Sequence, residues 1–279
     1  MLSKLKKLFV NPRTALTEVL GEAGMPSFPA LTIRTLKALR DPDSSMKKVG
    51  ELVSADPGNS VRVLKLVNSA AYGLRRPVNN VNHACTMLGR TTLEGIVLAV
   101  AVGDAMPRGD TLGYRPGRFW RAAARRATTA RALAEVLDPA SASASFTAGL
   151  LQDLAVPLLA HHKPGYDPML EQWVNDGGSL GDLERESFGW DHATVAGWLC
   201  EDWCFPGTLG SCIAGHHEQE GVPAAVSLVS LLGEAEDQGV EEMIERARQF
   251  YNAPSDRVVD AVKRGIVQGQ HVARLFAAA

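Results

Sequence analysis

Apolar residues recur at helical spacing through most of this chain, and that restricts its fold more than any other feature. After Thr91, the residues Leu93, Ile96, Val97 and Val100 fall at i, i+3, i+4 and i+7, which a helix turns into one buried stripe. Val195, Trp198 and Leu199 repeat the spacing. No run of alternating β-branched residues competes with it, so the predicted class is all-α. Two helix starts are legible. Asp56-Pro57 offers an N-cap followed by proline at the first helical position, and Asp191 precedes the Val195 stripe. The pattern predicts roughly five helices before residue 106 and roughly seven after residue 117.

Pro107, Gly109, Gly113, Pro116 and Gly117 crowd into residues 107–117, a density that neither helix nor strand tolerates. The expected organisation is therefore two-lobed: an N-terminal helical subdomain over 12–106, a linker over 107–117, a second helical subdomain over 118–235 and a helical C-terminal extension over 236–279. The Ala-Ser run from Ala140 to Ser145 reads as a loop between helices.

At 279 residues, 46% of them apolar, the chain can bury about three quarters of its unfolded surface without disulfides or a structural metal. A charged fraction of 22% with 6% aromatics excludes collagen-like, mucin-like and wholly disordered classes. Cys85, Cys200, Cys204 and Cys212 are sparse and read as reduced thiols. The apolar run from Gly95 to Gly103 is about half of what a bilayer span requires, so no membrane span is expected. The three lysines near the N-terminus lead to Pro12 and Arg13 rather than to an apolar core, which argues against a signal peptide, and Leu2, Leu5 and Leu8 read as a frayed first helix. These features point to a cytoplasmic protein.

The net charge of −2 conceals an asymmetry: residues 166–245 hold 17 acidic side chains against one basic residue, Arg185. Such a division either steers a charged partner or pairs internally. Arginine concentrates between Arg108 and Arg131, and Arg118, Arg121 and Arg125 fall at i, i+3 and i+7 on one helix face, with Arg126 adjacent. This face is a candidate for binding an acidic partner or an anion. Near-neutral charge and the lack of a helix-turn-helix, zinc-finger or RNA-binding signature argue against nucleic acid.

Candidate chemistry lies with Asp153, set in an apolar run, and with His161, His162, His192, His216 and His217. His161-His162 reads as a helix C-cap, and His192 as a packing partner for Asp153. Cys200, Cys204, Cys212 and His216 can be drawn as a zinc site, but Cys200 sits in an apolar stripe and buried thiols fit better.

Gly149-Leu150-Leu151-Gln152-Asp153 resembles the Gly-Leu-Leu-His-Asp of HD-type phosphohydrolases. It belongs to a longer resemblance, over about residues 25–218, to the HD-related output domain (HDOD) family of bacterial signalling proteins. The pieces include Met25 to Pro29, Asp41-Pro42, Asp56-Pro57, Leu88-Gly89, Phe119-Trp120, Glu186 to His192, Trp203 to Pro206 and His216-His217. Asn68, Ser69, Tyr72 and Gly73 match that family's signature and read chemically as the end of a helix.

The resemblance implies an all-α HDOD fold and non-catalytic output in signal transduction. The HD hydrolase ligand set is a His on the first helix, the His-Asp pair and a later Asp. Here the corresponding positions offer Ala122, Gln152 and Asp153, and the segment Ala224 to Gly233 carries no acid. A carboxamide cannot replace imidazole toward a transition metal. Ala122, Gln152, Asp153, His192, His216 and His217 thus read as a degenerate HD site, with no metal, no cofactor and no enzymatic activity expected. The implied partner is a signalling protein: a response regulator, or a cyclic-dinucleotide enzyme or receptor within a two-component or cyclic-di-GMP circuit. A divergent metal-dependent phosphohydrolase and a nucleotide sensor using the arginine face are the alternatives.

Overall fold

The computed structural model describes residues 11–25, 27–69, 76–235, 237–251 and 254–274. Tyr72 and Gly73 of the signature, and the start at Leu2, Leu5 and Leu8, lie outside them. Among the described residues there are helices and no strand.

Helix α1 (Pro12–Leu20) starts from Asn11, whose side chain accepts from the Arg13 N–H. Helices α2 (Ala30–Arg40), α3 (Met46–Ser54) and α4 (Pro57–Val67) pack with α5 (Val81–Ala105) around Leu36, Leu39, Val49, Val53, Val63 and Leu66. Helix α4 begins at Pro57, with the Asp56 carbonyl accepting from Ser60 N–H at 2.9 Å. Helix α5 is interrupted at Gly89, whose φ of 71° belongs to glycine. At that break Arg90 donates through Nη1 to the carbonyls of Ala38, Leu39 and Asp41 at 3.0–3.2 Å and through Nη2 to that of Ser44. The last carbonyls of α2 are orphans of the helix ladder, and a guanidinium satisfies several of them at once.

Asn68 closes the loop after α4. Its Nδ2 donates to Leu64 O (2.9 Å) and Val78 O (2.6 Å), and its Oδ1 accepts from Val78 N–H at 2.7 Å. This part of the signature is structural, as its chemistry predicts. Ser69 departs from that expectation, because its hydroxyl is buried without a hydrogen-bond partner among the described residues.

The non-helical connection covers residues 106–115, and the expected 107–117 overshoots it, because Pro116 and Gly117 open the next helix, where proline is tolerated at the first position. It is pinned by Asp167, whose carboxylate accepts from the backbone N–H of Leu112 (3.0 Å) and Gly113 (2.9 Å) and from the Thr111 hydroxyl. The second half then runs through α6 (Pro116–Leu137), α7 (Ala142–Leu151), α8 (Ala155–His162), α9 (Tyr166–Asp176), α10 (Leu180–Phe188), α11 (His192–Asp202), α12 (Gly207–Ala214), α13 (Ala224–Val229), α14 (Val240–Tyr251) and α15 (Ser255–Ala273). Among the described residues five α-helices precede the connection, as expected, whereas ten follow it rather than about seven. Helices as short as α13 complete too few turns to show a period. The Ala140–Ser145 run is likewise a correction: it forms a 3-10 turn and the first turn of α7, because alanine favours helix wherever nothing breaks it.

Helix α6 is the spine of this half, with α7 along one side and α15 along another. Its buried face is mostly alanine, which lets neighbours approach closely. On α15, Gly265 and Gly269 face it, and a Cβ on either would stand 2.4 Å from the Thr129 Cα or 2.8 Å from the Arg125 Cα. Thr128 Oγ1 donates to Gly265 O at 2.6 Å across the same contact. One core runs continuously from Leu16 to Val272 and a second lies beneath α13, α14 and α15 around Leu133, Leu228, Met243 and Val262.

Two stretches, Val81–Ala105 and Pro139–His162, are long and apolar enough to cross a bilayer by length and composition. This corrects the shorter run read from the sequence. Both supply the bundle's core: 56% and 78% of their most apolar windows are buried inside the protein.

Candidate functional site

Four side chains from three loci converge on one point. Asp153 lies in the turn between α7 and α8, where its carbonyl accepts from Val156 N–H. His192 is the first residue of α11, placed there by the Asp191 cap, whose Oδ1 accepts from the Thr194 N–H (2.8 Å) and hydroxyl (2.7 Å). His216 and His217 follow the end of α12 at Gly215. The His192 Nε2 stands 3.3 Å from the His216 Nε2 and 3.1 Å from the His217 Nε2. The Asp153 Oδ1 stands 3.5 Å from the first and 3.4 Å from the second of these nitrogens on His192 and His216.

Two of the three rings, His192 and His216, are oriented from behind. Glu184 on α10 is fully buried; its Oε2 accepts from the His192 main-chain N–H and lies 2.7 Å from Nδ1, while its Oε1 accepts from the Tyr166 hydroxyl. His216 Nδ1 lies 2.7 Å from the Ile213 carbonyl. The other Asp153 oxygen is held by Arg126, with Nη1 at 2.7 Å from Oδ2, and Arg126 Nε donates to Leu232 O at 2.9 Å.

Burial opposes ionisation of Asp153, but Arg126 and His192 outweigh it and hold the carboxyl well below its usual range. Burial also pulls the His192 ring down, yet Glu184 and Asp153 dominate and raise it to about 10. His216 is pushed down to about 4 by burial, against the pull of Asp153, and His217 to about 2 by burial and its two neighbouring rings. The cluster therefore concentrates one positive ring, two neutral rings and one carboxylate.

His192, His217, Asp153 and Arg126 open onto a cavity of about 570 Å³ that Arg185 and Arg246 also line. Arg185 is tied to Asp182 at 2.6 Å and to Asp191, and Arg246 to Glu242 at 2.7 Å.

Of the residues read as a degenerate site, Asp153, His192, His216 and His217 meet, and the expected His192–Asp153 proximity is present. Ala122 is buried one turn before Arg126 in α6, and Gln152 is buried with its Oε1 unpartnered among the described residues. The arginine face needs correction. Arg125 and Arg126 are 7% and 6% exposed, and Arg125 Nη2 donates to the Gly233 carbonyl. The i, i+7 count places Arg125 near Arg118 but ignores α13 and α15, which cover that end of α6. Arg118 stays half-exposed, 3.9 Å from Glu234, and Arg121 is exposed.

The cysteine-centred zinc drawing does not form: Cys204 is exposed, Cys200 and Cys212 are buried, and His216 belongs to the histidine cluster. Burial pushes the Cys85 thiol up to about 11 and the Cys200 thiol higher still. His161 Nδ1 lies 2.9 Å from the Pro157 carbonyl one turn back, consistent with its reading as a helix-end residue. Sequence reasoning passed over Glu184 and Arg126 as parts of this site. Glu184 is a lone acid on an amphipathic helix, eight residues before His192, and carries no motif of its own.

The family model for the HDOD domain matches residues 25–219. A curated protein of Treponema pallidum (strain Nichols), named only as uncharacterized, is 24% identical over 206 residues, which is 71% of this chain and 39% of that protein. This chain thus spans about two fifths of that relative's length. Among solved structures, a "Putative phosphohydrolase" from Shewanella amazonensis SB2B aligns with a TM-score of 0.74 at 22% identity, covering 96% of this chain and 98% of that one. A "Putative signal transduction protein" from Marinobacter aquaeolei VT8 aligns with a TM-score of 0.67 at 18% identity, covering 91% of this chain and 60% of that one. These likenesses bear on the fold.

Proposed function

Because this chain belongs to the HDOD family, we propose that it is a cytoplasmic, non-catalytic output or adaptor protein of bacterial signal transduction that works by holding a partner protein. The observation that supports this reading is the state of the HD pair: Gln152 replaces its histidine, and Arg126 occupies one oxygen of Asp153 at 2.7 Å. A carboxylate already neutralised by a buried guanidinium has half its donor capacity left for chemistry. The partner class is a signalling protein, either a response regulator or a cyclic-dinucleotide enzyme or receptor. The acidic stretch over 166–245 and the exposed Arg118 and Arg121 offer it opposite charges.

A second reading, a divergent phosphohydrolase, is favoured by one feature: the histidine cluster opens onto an arginine-lined cavity. The test is turnover of cyclic dinucleotides and simple phosphodiesters by the purified chain with Mn²⁺, Fe²⁺ or Zn²⁺ added. The adaptor reading expects no hydrolysis above buffer and association with a purified response regulator or cyclic-dinucleotide protein from the same host. Multiple turnovers that vanish in Asp153→Asn would replace it with the hydrolase.

A further inference from the structure

We propose that His192, His216, His217 and Asp153 bind a single first-row divalent transition-metal ion of the Zn²⁺ class. The site shares Asp153 with the HD pair but takes its nitrogens from His192, His216 and His217, so it does not depend on the first-helix and His-Asp imidazoles that Ala122 and Gln152 lack.

Geometry is the first argument. A tetrahedral Zn²⁺ with Zn–N bonds of 2.0–2.1 Å separates its ligand atoms by about 3.3 Å. Four ligand-to-ligand distances are 3.1, 3.3, 3.4 and 3.5 Å, and the three ring nitrogens all lie within 4.8 Å of one another.

The second argument is the count of donors and acceptors. Ile213 O can only accept, so His216 Nδ1 carries the proton and its Nε2 presents a lone pair. Glu184 accepts from the other side of His192 in the same way and leaves that Nε2 aimed at its neighbours. At 3.4 and 3.5 Å the Asp153 Oδ1 is too far from both rings for good hydrogen bonds. The His216 nitrogen and the Asp153 oxygen thus face this point as acceptors with no good hydrogen bond to either, a balance that a cation at that point corrects.

The surroundings are those of a metal site. Ligating histidines ordinarily donate their second N–H to a carboxylate or a backbone carbonyl, and here Glu184 and Ile213 take those parts. Imidazole-rich donors select Zn²⁺, Co²⁺, Ni²⁺ or Fe²⁺ over Mg²⁺ and Ca²⁺. The stoichiometry is one, because Arg126 holds Oδ2 and leaves Asp153 no oxygen for a second ion. Such an ion would cross-link the α7–α8 turn, the start of α11 and the end of α12, so it is a structural or sensory element and is compatible with an adaptor.

The test uses the whole chain stripped with chelator, then dialysed and titrated with Zn²⁺ and separately with Co²⁺. The expected result is one equivalent bound per chain, the visible absorption of tetrahedral Co²⁺, a melting temperature that rises with added Zn²⁺, and no competition from a hundredfold excess of Mg²⁺. His217→Gln alters a ring at the cavity edge, so it is expected to fold; Co²⁺ absorption should fall at least tenfold in it while its metal-free melting temperature matches wild type. His216→Asn serves as the second variant. Failure of the stripped, folded wild-type chain to take up Zn²⁺ or Co²⁺, or equal uptake by both variants, overturns the proposal. Metal uptake without turnover leaves the adaptor reading standing, and turnover without metal-site binding sinks this inference alone.

Discussion

In the first half of the molecule Arg90 brings guanidinium donors to four carbonyls at the end of α2 and the turn after it, and every group it meets is an acceptor. In the second half His192, His216, His217 and Asp153 bring ring nitrogens and a carboxylate oxygen together, with Glu184 and Ile213 fixing the His192 and His216 rings so that they face inward. Both nodes join segments remote in sequence. The first is balanced, and a balanced buried network needs nothing beyond the fold. The second has acceptors in surplus, which marks a place built to receive something. Donor-acceptor balance, more than burial or charge, separates a staple from a site here.

The largest effect should follow from unbalancing the second node from behind. Glu184→Ala leaves the Tyr166 hydroxyl and both N–H groups of His192 without their buried acceptor. Removing one member of a buried charged pair costs about 3–5 kcal/mol, measured as a drop in the urea midpoint. Glu184→Gln keeps an acceptor and should lose much less stability, while weakening Zn²⁺ binding about 10–100-fold as lost outer-shell partners do. A Glu184→Ala protein within about 1 kcal/mol of wild type would show that the node is not held from behind.

The balanced node should respond differently. Arg90→Met strands the last carbonyls of α2 and should cost about 3 kcal/mol. Its deficit should be identical with and without Zn²⁺, because the staple has no exchangeable member. A Zn²⁺-dependent deficit at Arg90 would break the distinction.

The part of this picture legible in the sequence is the part carried by local patterns. The Leu93 stripe lies in α5, Asp191 caps α11, and the proline-glycine segment holds the non-helical connection between α5 and α6. Asn68 reads correctly because its partners, Leu64 and Val78, are within ten residues. Arg125 and Arg126 read incorrectly because the carbonyls that bury them belong to Leu232 and Gly233, more than a hundred residues away. The histidine cluster is half-legible. Each histidine sits at a helix end, but no periodicity states that the start of α11 and the end of α12 meet beside Asp153. The resemblance groups the three histidines with Asp153, and the fold supplies the distances at which they meet.

Asp167 is a third node, balanced and titratable. Burial opposes its charge, but the Thr111 hydroxyl and the Gly113 and Leu112 N–H groups outweigh it and lower its pKa below the ordinary carboxylate value. A depressed folded-state pKa means the stabilisation is complete above the unfolded value of about 3.9 and is lost as pH falls through the lower folded value. Asp167→Asn should cost about 1–2 kcal/mol near neutrality. The deficit should shrink below about pH 4, where the wild type surrenders the same bonds. A penalty constant from pH 7 to pH 3 would remove the carboxylate from this account of the connection.

The smallest effect on stability, and the sharpest on function, concerns the two ends of α6. Arg125 and Arg126 are internal members of the fold, whereas Arg118 is half-exposed with a 3.9 Å contact to Glu234, and Arg121 is exposed. Exposed pairs contribute about 0–1 kcal/mol each, so Arg118→Glu combined with Arg121→Glu should shift the melting temperature little. Arg125→Met should shift it much more, since the Gly233 carbonyl loses its donor. If the outer pair serves a partner with acidic groups, the double variant should slow association. The wild-type on-rate should also fall as salt rises, because exposed charges are screened over about 8–10 Å near physiological ionic strength. An early-melting double variant would place the outer arginines with the inner ones, as clamps on the acidic stretch. One that folds and associates at the wild-type rate would move the partner's footprint away from α6.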